Sequence, residues 1–254
     1  MTSRIVALRD ADKGSIRSIS RAAQVLALFD QDTTALTPAI VSDRLGLNRT
    51  TAHRYLVSLQ AAGFLNHANG PGALLDSLSA LTDPRRRVLG DAADIMRDLC
   101  DRTGMTVTLT MAGWAGAVVR LVEEAERGTI ILTVRVGTVL EPRTSQSRVL
   151  LAFANDREMV ARFHSTLDAD ERRDEQHQLD AIRRTGIGWA EVSHLGLSGV
   201  AAPVFDGGEV SAAMALIATD DDLSPASPSA EPVRLLRQAA DALSVSLAEP
   251  ERTG

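Results

Sequence analysis

The first part of the chain consists of short amphipathic stretches separated by polar breaks. Apolar side chains recur at helical spacing over 16–29, which predicts a first helix. A second helix is predicted over 37–45, where a threonine cap precedes a proline and a glycine follows. An asparagine cap and a terminal glycine predict a third helix over 48–62. Helix, polar loop, short helix and capped helix follow one another in the order of a helix-turn-helix.

The third helix has two faces of different chemistry. Apolar residues at positions i, i+3, i+4 and i+7 predict a buried stripe of Ala52, Tyr55, Leu56 and Leu59. The opposite face is basic and rich in hydroxyl groups at the N-terminal end, where free N–H groups favour phosphate. Threonine can contact phosphates or thymine methyls, and arginine can contact phosphates or guanine edges. The candidate DNA-contacting residues are Asn48, Arg49, Thr50, Thr51, His53 and Arg54. The alternative is an ordinary solvent-exposed helix, for which these side chains have no special meaning.

Two features follow the third helix. Phe64 and Leu65 precede a turn-rich stretch over 69–72, which indicates half of a short hairpin, the wing. The second wing strand is weak because residues 73–76 continue into a helical pattern, so the wing is either truncated or disordered without DNA. Periodicity then predicts a helix over 85–102 that connects two domains.

The remainder of the chain changes to a pattern of strands and helices. Strict alternation and β-rich runs predict strands over 105–111, 117–123, 129–136, 188–192, 199–205 and 210–218, with a hairpin turn at 206–208. Helical spacing predicts helices over 147–154, 157–163, 169–184 and 230–247. This order is typical of an α+β domain in which helices pack on an antiparallel sheet.

Composition and charge add limits to this picture. A length of 254 residues favours two domains, and no stretch approaches the roughly 20 apolar residues of a membrane span, so we expect a cytoplasmic protein. Cys100 is the single cysteine, which excludes an internal disulfide and a cysteine-based zinc site. Residues 1–80 carry eight basic against six acidic side chains, whereas the rest carries 19 against 27. Contact with DNA is therefore expected through the N-terminal end only.

Catalytic chemistry is not indicated. The sequence contains no metalloprotease, serine hydrolase or phosphate-loop motif, and its five histidines are scattered. The acidic run at 220–222 is typical of a solvated loop rather than of a metal site. We therefore expect no enzyme, no metal and no cofactor.

Two separate blocks of sequence resemble the IclR family. The first has SISRA at 18–22, LGLNRTTAHRYL at 45–56 and LQAAGFL at 59–65. The second has IRRTG at 182–186, Gly196 and VAAPVFD at 200–206. The two blocks lie roughly as far apart as in that family, so the resemblance covers nearly the whole chain.

The resemblance implies a fold and a function. The implied fold class is α+β, with an N-terminal winged helix-turn-helix, a linker helix and a C-terminal GAF-like sensor domain of antiparallel sheet and flanking helices. The corresponding segments are a flexible arm over 1–15, a DNA-binding domain over 16–80, the linker over 81–103 and an effector-binding domain over 104–250. Members act as dimers or dimers of dimers on palindromic operators in double-stranded DNA. Many respond to small organic or aromatic acids, and they repress or activate transcription.

The effector site is expected at the start of the 147–154 helix and on the strands that face it, a region in which the chain departs from the family pattern. A Pro-Leu-His turn and an Ala-x-Gly-Lys helix start are common there, but this chain has EPRTSQSR at 141–148. The candidate effector-binding residues are Arg143, Thr144, Ser145, Ser147, Leu197, Gly199, Met214 and Leu216. Arg143 or Arg148 would hold a carboxylate in bidentate fashion, and serine hydroxyls would complete the site. The alternative is a surface arginine and serines that only cap a helix. A separate alternative is a purely structural C-terminal domain that only dimerises, so that DNA binding does not depend on a ligand.

Overall fold

The structure is a computed structural model that describes residues 16–29, 33–81, 84–113, 116–125, 134–192, 196–226 and 230–248. The chain divides into two compact units, Met1–Asp83 and Pro84–Gly254. The arm predicted over 1–15 lies outside the described residues. Within the described ranges, no helix is long and apolar enough to cross a membrane.

The first unit contains the three predicted helices and one more. They are α1 Arg17–Leu26, α2 Pro38–Leu45, α3 Arg49–Ala61 and α4 Ala73–Leu81. The Thr37 hydroxyl accepts a hydrogen bond from the Ile40 amide at 3.2 Å and caps α2, which ends at Gly46 with a φ of 66°. The Asn48 side chain accepts one from the Thr51 amide at 2.7 Å and caps α3. The capping signals in the sequence therefore identified both helix starts correctly.

The core of this unit fixes the orientation of α3. Ala52, Leu56 and Leu59 are buried as predicted, and Tyr55 is half-buried at the edge of the stripe. They pack against apolar side chains from α1, α2 and the connecting loops: Val25, Leu28, Leu36, Val41 and Leu65. Because one face of α3 is held by this core, the opposite face is presented to solvent.

The wing is short and ordered. A single bridge pairs Leu65 with Pro71, and the chain then enters α4 directly. The Asn66 side chain closes the turn by accepting hydrogen bonds from the amides of Ala68 and Gly70 at 2.9 and 3.0 Å. Of the two sequence-based alternatives, the structure shows the truncated wing.

Replacing Gly72 with alanine is expected to destabilise the first unit by about 3 kcal/mol, measured by urea unfolding. The new Cβ would lie 2.4 Å from the Gly63 carbonyl oxygen and 2.9 Å from the Leu65 nitrogen, so the backbone would have to shift. Gly90→Ala is the matched control, because its Cβ would meet nothing within 4 Å on an exposed helix face. That control should be neutral or slightly stabilising. If Gly72→Ala and Gly90→Ala were equally stable to urea, the backbone around Gly72 would have room for a Cβ, contrary to the prediction.

The second unit is built on one six-stranded antiparallel sheet with the order β3-β2-β1-β6-β5-β4. Its strands are β1 Thr106–Ala112, β2 Ala117–Glu123, β3 Val139–Leu140, β4 Gly188–Val192, β5 Leu197–Asp206 and β6 Glu209–Thr219. Most of the strand predicted over 129–136 lies outside the described residues, and the edge strand next to β2 is Val139–Leu140. The antiparallel α+β arrangement agrees with the sequence prediction.

Helices cover both faces of this sheet. On one face lie α5 Pro84–Thr103 and α9 Glu231–Ala248, and on the other lies α6 Ser145–Phe153 with α8 Ala169–Thr185 packed against it. Helix α7, Arg157–Phe163, and a 3₁₀ turn at His164–Thr166 connect α6 to α8. The helix predicted over 85–102 is thus α5, and it packs within the second unit.

Strand alternation gives the two faces of the sheet different chemistry. Leu109 on β1 pairs with Met214 on β6, and their side chains join the apolar core under α5 and α9. The neighbouring pairs along β1 and β6, Thr108 with Ala215 and Thr110 with Ala213, face α6 instead. At its centre, that second face carries mostly small or hydroxyl-bearing side chains, with Ile217 between Thr106 and Gly199; the others are Thr108, Thr110, Ala201, Ala213 and Ala215. Helix α6 therefore lies on a face of small, partly polar groups.

Candidate DNA interface and effector site

The outer face of α3 carries the predicted DNA-contacting residues. Arg49, Thr50, His53 and Arg54 are exposed, and Thr51 is half-buried. Asn48 is exposed, but its side-chain oxygen is already engaged in the helix cap. The first turn of α3 contains no acidic residue, so the positive end of the helix dipole is not neutralised within that turn. This arrangement presents basic and hydroxyl groups together with free amides, as phosphate and base-edge contacts require.

In the second unit, the start of α6 is buried against the small-residue face of the sheet. Thr144 caps the helix by accepting a hydrogen bond from the Ser147 amide at 3.3 Å. Ser145, Gln146 and Ser147 are then almost completely buried. A Cβ on Gly199 would lie 3.1 Å from the Ser145 hydroxyl oxygen, so the absence of a side chain there allows α6 to approach β5 closely. The structure thus brings Ser145 and Gly199 together, as the prediction of a shared site requires.

A row of polar side chains fills the interface between α6 and β1. The Gln146 amide donates a hydrogen bond to the Thr108 hydroxyl at 2.8 Å, and the Ser145 hydroxyl donates one to the Gln146 side-chain oxygen at 3.1 Å. Thr110 is fully buried on the same face, and its hydroxyl has no hydrogen-bond partner among the described residues. A buried hydroxyl without a partner costs about 1–3 kcal/mol, so any polar atom placed beside Thr110, from a water molecule or another group, would stabilise this position.

Two of the predicted effector-binding residues lie elsewhere. Met214 and Leu216 are fully buried in the apolar core beneath α5 and α9, on the face of the sheet opposite to Ser145. The prediction that they share a site with the start of α6 is therefore wrong. Leu197 precedes Gly199 by two residues, so strand alternation places it on the α6 face.

The two arginines that were expected to hold an effector carboxylate bind Glu175 of α8 instead. Arg148 donates to the two carboxylate oxygens from Nε at 2.8 Å and Nη2 at 2.5 Å, and from Nη1 to the Trp189 carbonyl at 2.9 Å. Arg143 donates from Nε to Glu175 at 3.1 Å and from Nη1 to Glu171 at 3.4 Å. The carboxylate that these arginines recognise therefore belongs to the chain itself.

Burial and charge act in opposite directions on Glu175. Burial raises the pKa of this carboxyl group, whereas hydrogen bonds and charge from Arg148 and Arg143 lower it, and the net result is a lowered pKa.

His164 is also buried, and its Nε2 atom has no hydrogen-bond partner among the described residues. Burial lowers the pKa of His164, the charge of Glu175 raises it and that of Arg172 lowers it, so that the net shift is downward. Glu175 is therefore ionised and His164 neutral near pH 7.

Sequence comparison identifies both units. The profile of the IclR helix-turn-helix domain matches residues 18–68, and that of the bacterial transcriptional regulator IclR C-terminal domain matches residues 84–245. The chain belongs to the IclR family. Comparison with curated protein sequences gives no significant match.

Solved structures of IclR proteins share this fold. A protein of Silicibacter sp. TM1040, assigned to the IclR transcriptional regulators, has a TM-score of 0.74 at 20% identity over 93% of this chain and 98% of that one. An IclR family transcriptional regulator from Brucella abortus has a TM-score of 0.69 at 16% identity over 98% and 100% of the two chains. An IclR homologue from Microbacterium hydrocarbonoxydans, crystallised with 4-hydroxybenzoate, has a TM-score of 0.65 at 21% identity over 91% and 98%.

Sequence reasoning missed Glu175 in this IclR chain, although a signal for it existed. Glu175, Leu179 and Ile182 are the buried residues of α8 and follow the spacing i, i+4 and i+7. An acidic residue at an apolar-stripe position predicts a buried partner of opposite charge. Segment 169–185 is rich in charged residues, so Glu175 is recognised as a buried position only from its spacing relative to Leu179 and Ile182.

The stability of this IclR protein is expected to fall in two steps as the pH is lowered. The pKa of His164 lies below its ordinary value of 6.5, so the unfolded chain binds a proton first and stability is lost from pH 6.5 downward through the lower pKa of the folded state. Glu175 contributes stability that is complete above its ordinary pKa of 4.5 and is lost as the pH falls through its lower folded value. Urea unfolding from neutral pH to about pH 3 measures both steps. His164→Gln should remove the first step only; a first step that persists in this variant would contradict the assignment.

Proposed function

We propose that this chain is a DNA-binding transcription regulator whose operator affinity is controlled by a small-molecule effector. The observation that carries the proposal is the exposed basic face of α3, which contains Arg49, Thr50, His53 and Arg54. Its opposite face is fixed by the core of the first unit, so these side chains are presented on a rigid element. A helix held in this way suits insertion into the major groove.

The proposed complex contains a dimer, or a dimer of dimers, on a palindromic operator. A helix-turn-helix dimer places its two recognition helices in successive major grooves about 34–36 Å apart. Arg49 and Thr50 at the start of α3 would contact phosphates, and Arg54 in its second turn would reach base edges or further phosphates. Each half of the palindrome is then read by one copy of α3.

The proposed effector site lies between the start of α6 and the small-residue face of the sheet. The buried Thr110 hydroxyl, which lacks a partner among the described residues, supports a polar ligand atom there. The Microbacterium protein crystallised with 4-hydroxybenzoate supports small aromatic acids and their neutral analogues as the compounds to test first. Effector binding would then change the spacing of the two DNA-binding units through α5, the linker helix, and so alter operator fit.

One observation favours a second candidate function. Gln146 and Ser145 fill the space between α6 and β1 with their own hydrogen bonds, so the second unit can be stable without a ligand. A purely structural second unit that only dimerises would bind its operator independently of small molecules.

Fluorescence anisotropy on the DNA upstream of the protein's own gene tests the proposal. We expect salt-sensitive binding to one sequence, in preference to scrambled DNA of the same length. A panel of aromatic and aliphatic acids, with matched neutral analogues, should contain compounds that shift the affinity by about 5- to 150-fold. Specific binding that no compound changes would favour the structural alternative. If genome-wide selection of bound fragments also finds no preferred sequence, the DNA-binding proposal fails.

A further inference from the structure

The start of α6 carries a closed network of charge. Arg148 and Glu175 form a bidentate pair; Glu175 is buried and Arg148 is mostly covered, with 1% and 13% of their side chains exposed. The third donor of Arg148, Nη1, donates a hydrogen bond to the Trp189 carbonyl oxygen of β4 at 2.9 Å. The guanidinium group is therefore directed entirely at groups within the protein.

Arg143 adds a second positive charge and Glu171 a second negative one. The Arg143 side chain is half exposed and bonds to both glutamates. Two arginines thus face two glutamates, and the network has no net charge. An external carboxylate that approached it would be repelled by Glu175 and Glu171 and would find the bidentate position on Arg148 taken.

We propose that Glu175 is a built-in carboxylate that occupies the anion position of Arg143 and Arg148 and excludes effector carboxylates from it. The effector then presents a neutral hydrogen-bonding group, a hydroxyl or an amide, to the start of α6. The uncharged polar groups between this end of α6 and the sheet are the Gln146 amide of α6, which is bonded to Thr108 and Ser145, and the Thr110 hydroxyl of β1. This inference rests on the proposed effector control and names the specificity determinant of that site.

Chemical rescue tests the anion position without DNA. Glu175→Ala removes the carboxylate and leaves the two arginines and a gap of matching size. Acetate or propionate should raise the Tm of this variant by several degrees in a saturable manner, whereas acetamide and chloride at equal concentration should not. Wild-type protein should show no such response, and neither should the control Arg148→Met/Glu175→Leu, which lacks both charges.

Three results of the rescue experiment would overturn the proposal. The first is a rise in the Tm of wild-type protein with acetate or propionate that is as large as the rise for Glu175→Ala. The second is no rise in the Tm of Glu175→Ala. The third is a rise for the double variant that equals the rise for Glu175→Ala. If Glu175→Ala is obtained in soluble form only when propionate is present during folding, that dependence supports the proposal. If it is insoluble with and without propionate, the ligand comparison on wild-type protein decides.

The ligand comparison uses pairs of compounds that differ only in charge. Calorimetric titration of wild-type protein with 4-hydroxybenzamide and 4-hydroxybenzoate, and with benzamide and benzoate, should show the amide binding more tightly in each pair. Tighter binding of the acids would overturn the specificity role of Glu175 while leaving effector control intact. Binding of no compound, together with a failed rescue, would remove the inference and leave the DNA-binding proposal standing.

Discussion

Alanine in place of Arg54 is expected to weaken operator binding about 10- to 100-fold without lowering stability. Arg54 is exposed on α3, and none of the hydrogen bonds or ion pairs identified among the described residues involves it, so its loss removes no hydrogen bond or ion pair identified in the first unit. Anisotropy titrations at several salt concentrations measure the effect. A lost phosphate contact should reduce the salt slope by about one, whereas a lost base contact should relax specificity at one operator position.

Arg173→Ala is the matched control for this prediction. It removes the same charge from an exposed position on α8, where the side chain is 70% exposed and, among the described residues, pairs only with Asp170 of its own helix. Operator affinity should stay within about twofold of wild type, because long-range effects of one surface charge are screened by salt. Equal losses in the two variants would show that net charge, rather than the face of α3, determines the affinity.

Methionine in place of Arg148 is expected to lower the free energy of unfolding by about 3–5 kcal/mol at neutral pH. The substitution leaves Glu175 buried, ionised and without its bidentate partner. Methionine keeps much of the aliphatic volume, so lost packing contributes little. Urea unfolding of variant and wild type measures the difference.

Arg143→Met is the control for the role of burial. It removes a positive charge that pairs with the Glu175 carboxylate. The Arg143 side chain is 50% exposed, however, so solvent screens its contribution to stability. A loss of about 1 kcal/mol or less is expected. The deficit of Arg148→Met should also shrink in acid, because protonation of Glu175 removes the unpaired charge. A deficit that is constant from neutral pH to about pH 4 would show that packing, not charge, is responsible.

Local signals predicted the first unit well. The caps at Thr37 and Asn48, and the stripe of Ala52, Leu56 and Leu59, each depend on residues within a few positions of one another. Such interactions are fixed by helix geometry, so the sequence contains all the information that they need. The sequence does not decide between a truncated and a disordered wing, because a single bridge is too small to leave a pattern.

The proposed effector site is harder to predict because it depends on pairings between distant parts of the chain. Alternation correctly separates Met214 from Ala213 and Ala215, but it does not say which set faces α6. That choice depends on how β6 pairs with β1, more than 100 residues earlier in the chain. The pairing of Arg148 with Glu175 spans 27 residues and is invisible to helical spacing within either helix. Helical spacing therefore gives no sign that Arg143 and Arg148 have an internal partner.

The small wing has a consequence for the length of DNA that one copy can read. A hairpin closed by one bridge, Leu65 with Pro71, and by the Asn66 side chain extends only about three residues, or roughly 10 Å, beyond the core. Such a turn can touch the backbone beside α3, but it is too short to follow the duplex into the neighbouring minor groove. Each half-operator should consequently show a narrow footprint, with hydroxyl-radical protection confined to the sugars that flank one major groove.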